Sequence, residues 1–235
     1  MKQQLSFNAS PYPPIEDYAL ISDCESVALV GRNGAIDWCC MPTMDADSCF
    51  GRLLDWRLGG HCSIAPADPG KAASSRSYED GTMVLATRFD HPSGSVLLHD
   101  FFAICGEPGQ HDETDHLVRI ARCESGTMTL RLELVARFDF GAIVPDLRQV
   151  GPGLYTACGS NIGLLIHCTR TLQVRKRDAA LCADCTLHAG QTLSLSIRYV
   201  PPELLQREVE EWQPEILDLL LQQTLAWWAG WERSA

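Results

Sequence analysis

The feature that most constrains this chain is an alternation held for fourteen residues, from Thr127 to Phe140. Met128, Leu130, Leu132, Leu134, Ala136, Phe138 and Phe140 share one parity. Thr127, Thr129, Arg131, Glu133, Arg137 and Asp139 share the other, where only Val135 is apolar. Successive side chains of a strand point to opposite faces, so the run predicts one buried face and one wet face. It is long for a single strand, which predicts a bulge or bend near Ala136. Gln191 to Val200 repeats the pattern, with Leu193, Leu195, Ile197 and Tyr199 against Thr192, Ser194, Ser196 and Arg198. Thr82 to Phe89 and Ser95 to Phe101 read as a pair joined by Asp90-His91-Pro92-Ser93-Gly94. His61 to Ala65, Ile162 to Cys168 and Ala180 to Leu187 read as further strands, and Asp68 to Ser77 and Glu107 to Asp115 as polar loops. Many short strands between turn residues predict a mainly β fold of antiparallel strands. Alternation alone is equally compatible with a sandwich and a barrel.

The period changes at Pro201-Pro202. Leu205, Val209 and Trp212 then share a helical face, and Pro214 suits the first turn of a second helix. In that second helix Leu217, Leu220, Leu221, Thr224, Trp228 and Trp231 recur at steps of three and four. The chain therefore divides into a β domain over 1–200 and a helical segment over 201–235.

Before the regular strands lies a denser segment, Tyr12 to Phe50. Val27-Ala28-Leu29-Val30 and Ala35-Ile36-Asp37-Trp38-Cys39-Cys40-Met41 flank Gly31-Arg32-Asn33-Gly34. An Asn-Gly pair between two apolar runs predicts a hairpin with a two-residue turn, and Pro42 ends the return strand. Pro14, Ile15, Asp17, Tyr18, Leu20, Ile21, Asp23 and Cys24, then Ala28, Leu29, Val30, Gly34, Ile36, Asp37, Trp38, Cys40, Pro42, Asp45, Ser48 and Phe50, stand where an ordered motif would place them. This opening resembles that of bacterial and archaeal proteins of glycoside hydrolase family 15, the glucoamylase and trehalase-like group. It departs from their pattern at Ser22, Ser26, Cys39 and Met44. A weaker likeness continues to the C-terminus.

The resemblance implies a large antiparallel two-sheet β-sandwich with a C-terminal helical linker, followed in the family by a catalytic (α/α)6 barrel. The sequence ends at Ala235, about where that barrel would begin. Family chemistry is inverting hydrolysis of α-glucosidic bonds by two glutamates in the barrel, and no position here matches their motifs. The expectation is a non-catalytic domain that supports a barrel, in cis or in trans, and rims its active site. Its rivals are a stand-alone carbohydrate- or protein-binding sandwich and a glucoamylase or trehalase acting through local carboxylates. The family's linker helices end in a Trp-x-x-Trp pair like Trp228 and Trp231. Trp227, Trp228 and Trp231 are therefore the candidate barrel-packing residues; without a barrel they are expected to be partly uncovered and to favour self-association through the helical tail.

Asp37-Trp38 and the following loop with Asp45 and Asp47 pair an aromatic ring with carboxylates. That combination suits a sugar's apolar face and hydroxyl donors, and equally suits a core ring beside a bracing acid. Asp23 follows the same logic. These five form the candidate interdomain or sugar-side loop, facing glucan or trehalose. Glu16 with Asp17, and Asp112 with Glu113 and Asp115, are further local carboxylate sets that read as solvated loop. Cys182 and Cys185 have Cys-x-x-Cys spacing, but a strand points them to opposite faces, so no metal site and no cofactor are expected.

A net charge of −11 argues against nucleic acid and anionic membrane as partners. No apolar run approaches the roughly 20 residues of a membrane helix. Eleven cysteines and an N-terminus without an apolar signal core point to free thiols in the cytoplasm.

Overall fold

The structure, a computed structural model, describes residues 12–105, 115–213 and 216–234. Fifteen strands run in chain order through it. They begin with β1 (Tyr18–Ser22), β2 (Val27–Gly31), β3 (Ala35–Cys40), β4 (Ser48–Phe50) and β5 (His61–Pro66). Next come β6 (Ala73–Tyr78), β7 (Leu85–His91), β8 (Gly94–Phe102), β9 (His116–Val135) and β10 (Asp146–Gly151). The last are β11 (Leu154–Gly159), β12 (Ile162–Cys168), β13 (Gln173–Arg175), β14 (Ala180–His188) and β15 (Thr192–Val200), before helices α1 (Leu205–Glu210) and α2 (Leu217–Ser234). The loop expected over 107–114 and the helix start expected at Pro214 lie outside the described residues.

All the strand pairs are antiparallel, and β9 belongs to both layers of the fold. Its first half, through Gly126, lies between β8 and β15. Its second half, from Thr127, lies between β5 and β14. One layer therefore runs β1-β2-β3-β5-β9-β14-β13 and the other β6-β7-β8-β9-β15-β12-β11-β10. Between them sits one apolar core, with Ile21, Ile36 and Ile64 from the first layer and Leu98, Leu117 and Ile197 from the second.

Gly126 makes this change of layer. Its φ is +66°, and a Cβ there would meet the Ser93 carbonyl oxygen at 2.1 Å, so only glycine fits. Inward parity changes across it: Leu117, Ala121 and Cys123 face the core before Gly126, Met128, Leu130, Leu132 and Leu134 after it. The change of layer thus falls at Gly126, and β9 itself ends at Val135, where a break near Ala136 was expected. The alternation itself holds through Phe138, which is buried, while Phe140 leaves the strand with φ +54° and is exposed.

Two other local expectations change. The β2–β3 connection is longer than two residues. Val30 pairs with Ile36, Gly34 N–H donates to the Gly31 carbonyl at 2.9 Å, and Gly34 takes φ +76°. A Cβ at Gly34 would meet the Ile64 carbonyl oxygen at 2.2 Å, so neighbouring β5 imposes the conformation. The polar stretch Ala73–Tyr78, expected as loop, is edge strand β6. It has no apolar face because it pairs on one side only, with β7, and its side chains stay wet.

Both helices lie against the outer face of the second layer. Leu205 of α1 packs on Leu154, Leu165 and Val200, joined by Val209 and Trp212. Leu217 and Leu221 of α2 cover Val84, Phe101, Val118 and Ile120. Thr224 Oγ1 accepts the Ile104 N–H at 3.0 Å, and Trp227 and Trp228 pack on Ile104 and Met83. The expectation that three tryptophans are partly uncovered is corrected for two: Trp227 and Trp228 are buried against the chain itself, while Trp231 is 49% exposed. Among the described residues no helix is long and apolar enough to cross a membrane.

If α2 is part of this fold, Leu221→Ala lowers unfolding stability by about 2–3 kcal/mol, as truncation of a buried leucine does. An unfolding free energy from urea titration unchanged within about 0.5 kcal/mol would show α2 undocked.

Candidate functional site

The outer face of the first layer, which no described helix covers, carries a row of polar contacts that crosses the sheet. It begins on β1. Tyr18 OH donates to Asp37 Oδ2 on β3 at 2.7 Å, reaching over β2. Asp37 is fully buried, and its other oxygen accepts Arg52 Nε at 2.8 Å and Arg52 Nη2. The Leu53 N–H donates to the Asp37 carbonyl at 3.2 Å, so side chain and backbone together pin the 51–60 loop to β3. The Arg52 guanidinium lies 4.3 Å from the Trp56 ring centre, a cation–π contact.

The row continues through β5 and β9. His61 Nε2 lies 3.2 Å from Glu133 Oε2, and Glu133 Oε1 accepts Arg175 Nη2 at 2.6 Å. Arg175 in turn binds Asp178 at 2.8 Å. Burial lowers the His61 pKa to about 4, helped by the positive charge of Arg52. Burial alone would raise Glu133, but Arg175 and His61 hold it below its ordinary value. Glu133 is therefore an acceptor-only carboxylate and the neutral imidazole donates to it through Nε2.

A second cluster lies at the end of β3. Trp38 is half-buried, with its ring 6.0 Å from that of Phe140. Phe140 N–H donates to Ser48 Oγ at 3.1 Å. Asp45 is exposed and accepts Thr43 Oγ1 at 2.7 Å, and Asp47 is half-buried. Asp23 sits in the β1–β2 turn, where its Oδ1 accepts the N–H groups of Glu25 at 3.0 Å and Ser26 at 2.7 Å. Burial raises its pKa despite those bonds. Among the described residues no hydrogen bond joins Asp37 to Asp23, Asp45 or Asp47. Asp112 and Glu113 lie outside the described residues.

Sequence reading found Asp37 and missed Arg52, His61 and Glu133. His61 and Glu133 are 72 positions apart, so nothing local links them. The outward parity of Glu133 on the alternating run was the one signal available. Cys182 is partly exposed and Cys185 buried, and among the described residues no three metal-ligating side chains converge.

A family model described as trehalase-like, N-terminal, matches residues 5–213. A trehalase of Mycolicibacterium smegmatis is 30% identical over 156 residues, which are 61% of this chain and 23% of that protein. A trehalase of Mycobacterium tuberculosis is 31% identical over 145 residues, 56% of this chain and 21% of that protein. The chain thus spans under a quarter of the length of these curated relatives. A putative kojibiose phosphorylase from human microbiome superposes with a TM-score of 0.44 and 9% identity, covering 88% of this chain and 35% of that one.

Two outcomes are expected at this site. Asp37→Asn weakens both its contacts and leaves a mostly buried guanidinium under-compensated, costing about 1.5–3 kcal/mol in chemical unfolding. The depressed His61 pKa gives stability that is full above about pH 6.5, the unfolded value, and is lost as pH falls toward about 4. His116, buried and lowered to about 3, adds to the same slope. Melting temperature should fall between pH 7 and pH 4, less steeply in His61→Asn; equal slopes would contradict this assignment.

Proposed function

This chain belongs to the trehalase-like N-terminal family, and from that premise we propose that it is the non-catalytic N-terminal domain of a glycoside hydrolase of family 15. Its work is to support a catalytic (α/α)6 barrel, in cis or in trans, and to shape one side of the barrel's mouth. The observation that carries this reading is the match itself. It spans residues 5–213, and the trehalases similar to this chain align with it over only 21–23% of their length. The trehalose or glucan chemistry then belongs to a part of the protein beyond this segment.

The described carboxylates support the same conclusion. Inverting hydrolysis needs one protonated acid and one water-activating carboxylate about 6.5–9.5 Å apart across a substrate. Asp37 is held between Tyr18 and Arg52, Asp23 caps a turn, and Asp100 is locked to Arg119. Each holds structure together: Asp37 a loop, Asp23 a turn and Asp100 a buried arginine. The helical segment over 201–235 is the link toward the barrel. It lies on the second layer with Trp231 half-exposed near its end, and that ring is the contact offered onward. The Trp38–Phe140 end, with Asp45 and Asp47 beside it, is the face placed at the barrel's mouth. We place the protein in the cytoplasm, from its thiol-rich composition.

The test is glucose release from trehalose and malto-oligosaccharides by the purified 235-residue chain. No release above the level of an Asp37→Asn control is expected. Turnover that persists through purification and collapses in Asp37→Asn would overturn the reading.

A further inference from the structure

Beside the His61–Glu133 pair, the outer face of the first layer holds a cleft of about 500 Å³. Its floor is a matter of side-chain size. Ala35 on β3 pairs with Ser63 on β5, and Ala65 follows on the same outward row. Three small residues there leave a depression between taller walls. Arg52, His61 and Glu133 form one wall, and Arg32 and Asn33 of the β2–β3 turn stand at the side. Pro66, Pro69 and Ala72 close the far end. The volume falls in the range of small-molecule sites, about 300–1,000 Å³, and the lining mixes apolar surface with a few fixed polar groups.

The polar groups define what fits. Each charge at the cleft is matched by an opposite one: Arg52 by Asp37, Arg32 by Asp17 at 2.9 Å, and Glu133 by Arg175. A monoanion would meet Glu133, and a cation would meet Arg52 and Arg32. Hydrogen-bonding capacity remains on both sides of the balance. Arg52 spends Nε and Nη2 on Asp37, which leaves its Nη1 donors for the cleft. His61 gives its Nε2 proton to Glu133, so Nδ1 presents a lone pair. Asn33 spends its carbonyl oxygen on the Ala35 N–H at 3.1 Å and keeps its amide donors. Ser63 Oγ, 3.5 Å from the Glu133 carbonyl, both donates and accepts. The groups are also held in place: Arg52 by Asp37 and Trp56, His61 by Glu133, and Glu133 by Arg175.

The geometry points to a binding cleft for a neutral polyhydroxylated molecule of mono- to disaccharide size, seated on Ala35, Ser63 and Ala65. Vicinal hydroxyls donate and accept at once, which suits alternating fixed donors and acceptors without net charge. The C–H face of such a ligand rests against the proline and alanine end. The cleft binds without chemistry, and the assignment stands whether or not a barrel supplies catalysis elsewhere.

The experiment is calorimetric titration of the full 235-residue chain with trehalose, with maltotriose and with inorganic phosphate. It is repeated on Ser63→Tyr and on Ala65→Leu, which fill the floor from the wet face of a strand. Melting temperature reports that each variant is folded. The expected result is saturable binding of at least one sugar with a Kd of about 1 mM, weakened about tenfold or more in the folded variants, and no heat from phosphate. The assignment is overturned if neither sugar binds, if the folded variants bind as well as the parent, or if phosphate binds in place of the sugars.

Discussion

One buried arginine, ion-paired within its own layer, reaches across the core and ties the two layers together. Arg119 points inward from β9 and is fully buried, as is Asp100 opposite it on β8. Its Nε and Nη2 donate to the two Asp100 oxygens at 2.7 and 3.1 Å. The remaining donors cross the core: Nη1 reaches the Cys62 carbonyl at 2.7 Å and Cys62 Sγ at 3.6 Å, and Nη2 reaches the Gly34 carbonyl at 2.8 Å. Every guanidinium N–H is thus used, which is the condition under which a charge can be tolerated in a core. Burial alone would lower the Arg119 pKa, and the Asp100 charge outweighs it and raises it. The acceptors are backbone carbonyls of the β2–β3 turn and of β5, so a residue from one layer reads the position of the other. Apolar contacts do not have that directional property.

The two outer faces then take different roles. The second layer gives its outer face to α1 and α2, which bury Val118 and Ile120 from above. No described helix covers the outer face of the first layer, and its polar row runs from Tyr18 to Arg175. The signature segment contributes to both interiors. Gly34 serves the Arg119 network, and Asp37 ties the 51–60 loop to β3. The residues by which the chain is similar to trehalase-like N-terminal domains therefore include structural ones. A dense family motif is therefore accounted for in part by these structural contacts.

The parts of the fold legible in the sequence were those with one dry and one wet face. The second half of β9 fits that description; β15 was legible by the same alternation, although Ser194 and Ser196 on its polar parity are buried. The first half of β9 was not legible, because Leu117, Val118, Ile120 and Ala121 are buried on both faces and show no alternation. A charge at Arg119 inside that run reads as a surface position until Asp100 is brought opposite it. β6 was hidden for the converse reason, having no apolar face at all. Trp228 was legible as part of an apolar helix face, whereas its cover by Ile104, shared with Trp227, depends on residues far away in the chain. At the open face Asp37 stood out beside Trp38, while the His61–Glu133 pair depended on β5 and β9 becoming neighbours.

The layers are thus joined by a buried Arg119, charge-compensated by Asp100, as well as by apolar packing. A double-mutant cycle on Arg119→Met and Asp100→Leu, followed by chemical unfolding, tests it most directly. Each single change strands a buried charge and should cost about 3–5 kcal/mol, whereas the double variant, with two apolar side chains, should cost clearly less than the sum. Single losses below about 1 kcal/mol, or strictly additive ones, would contradict the account.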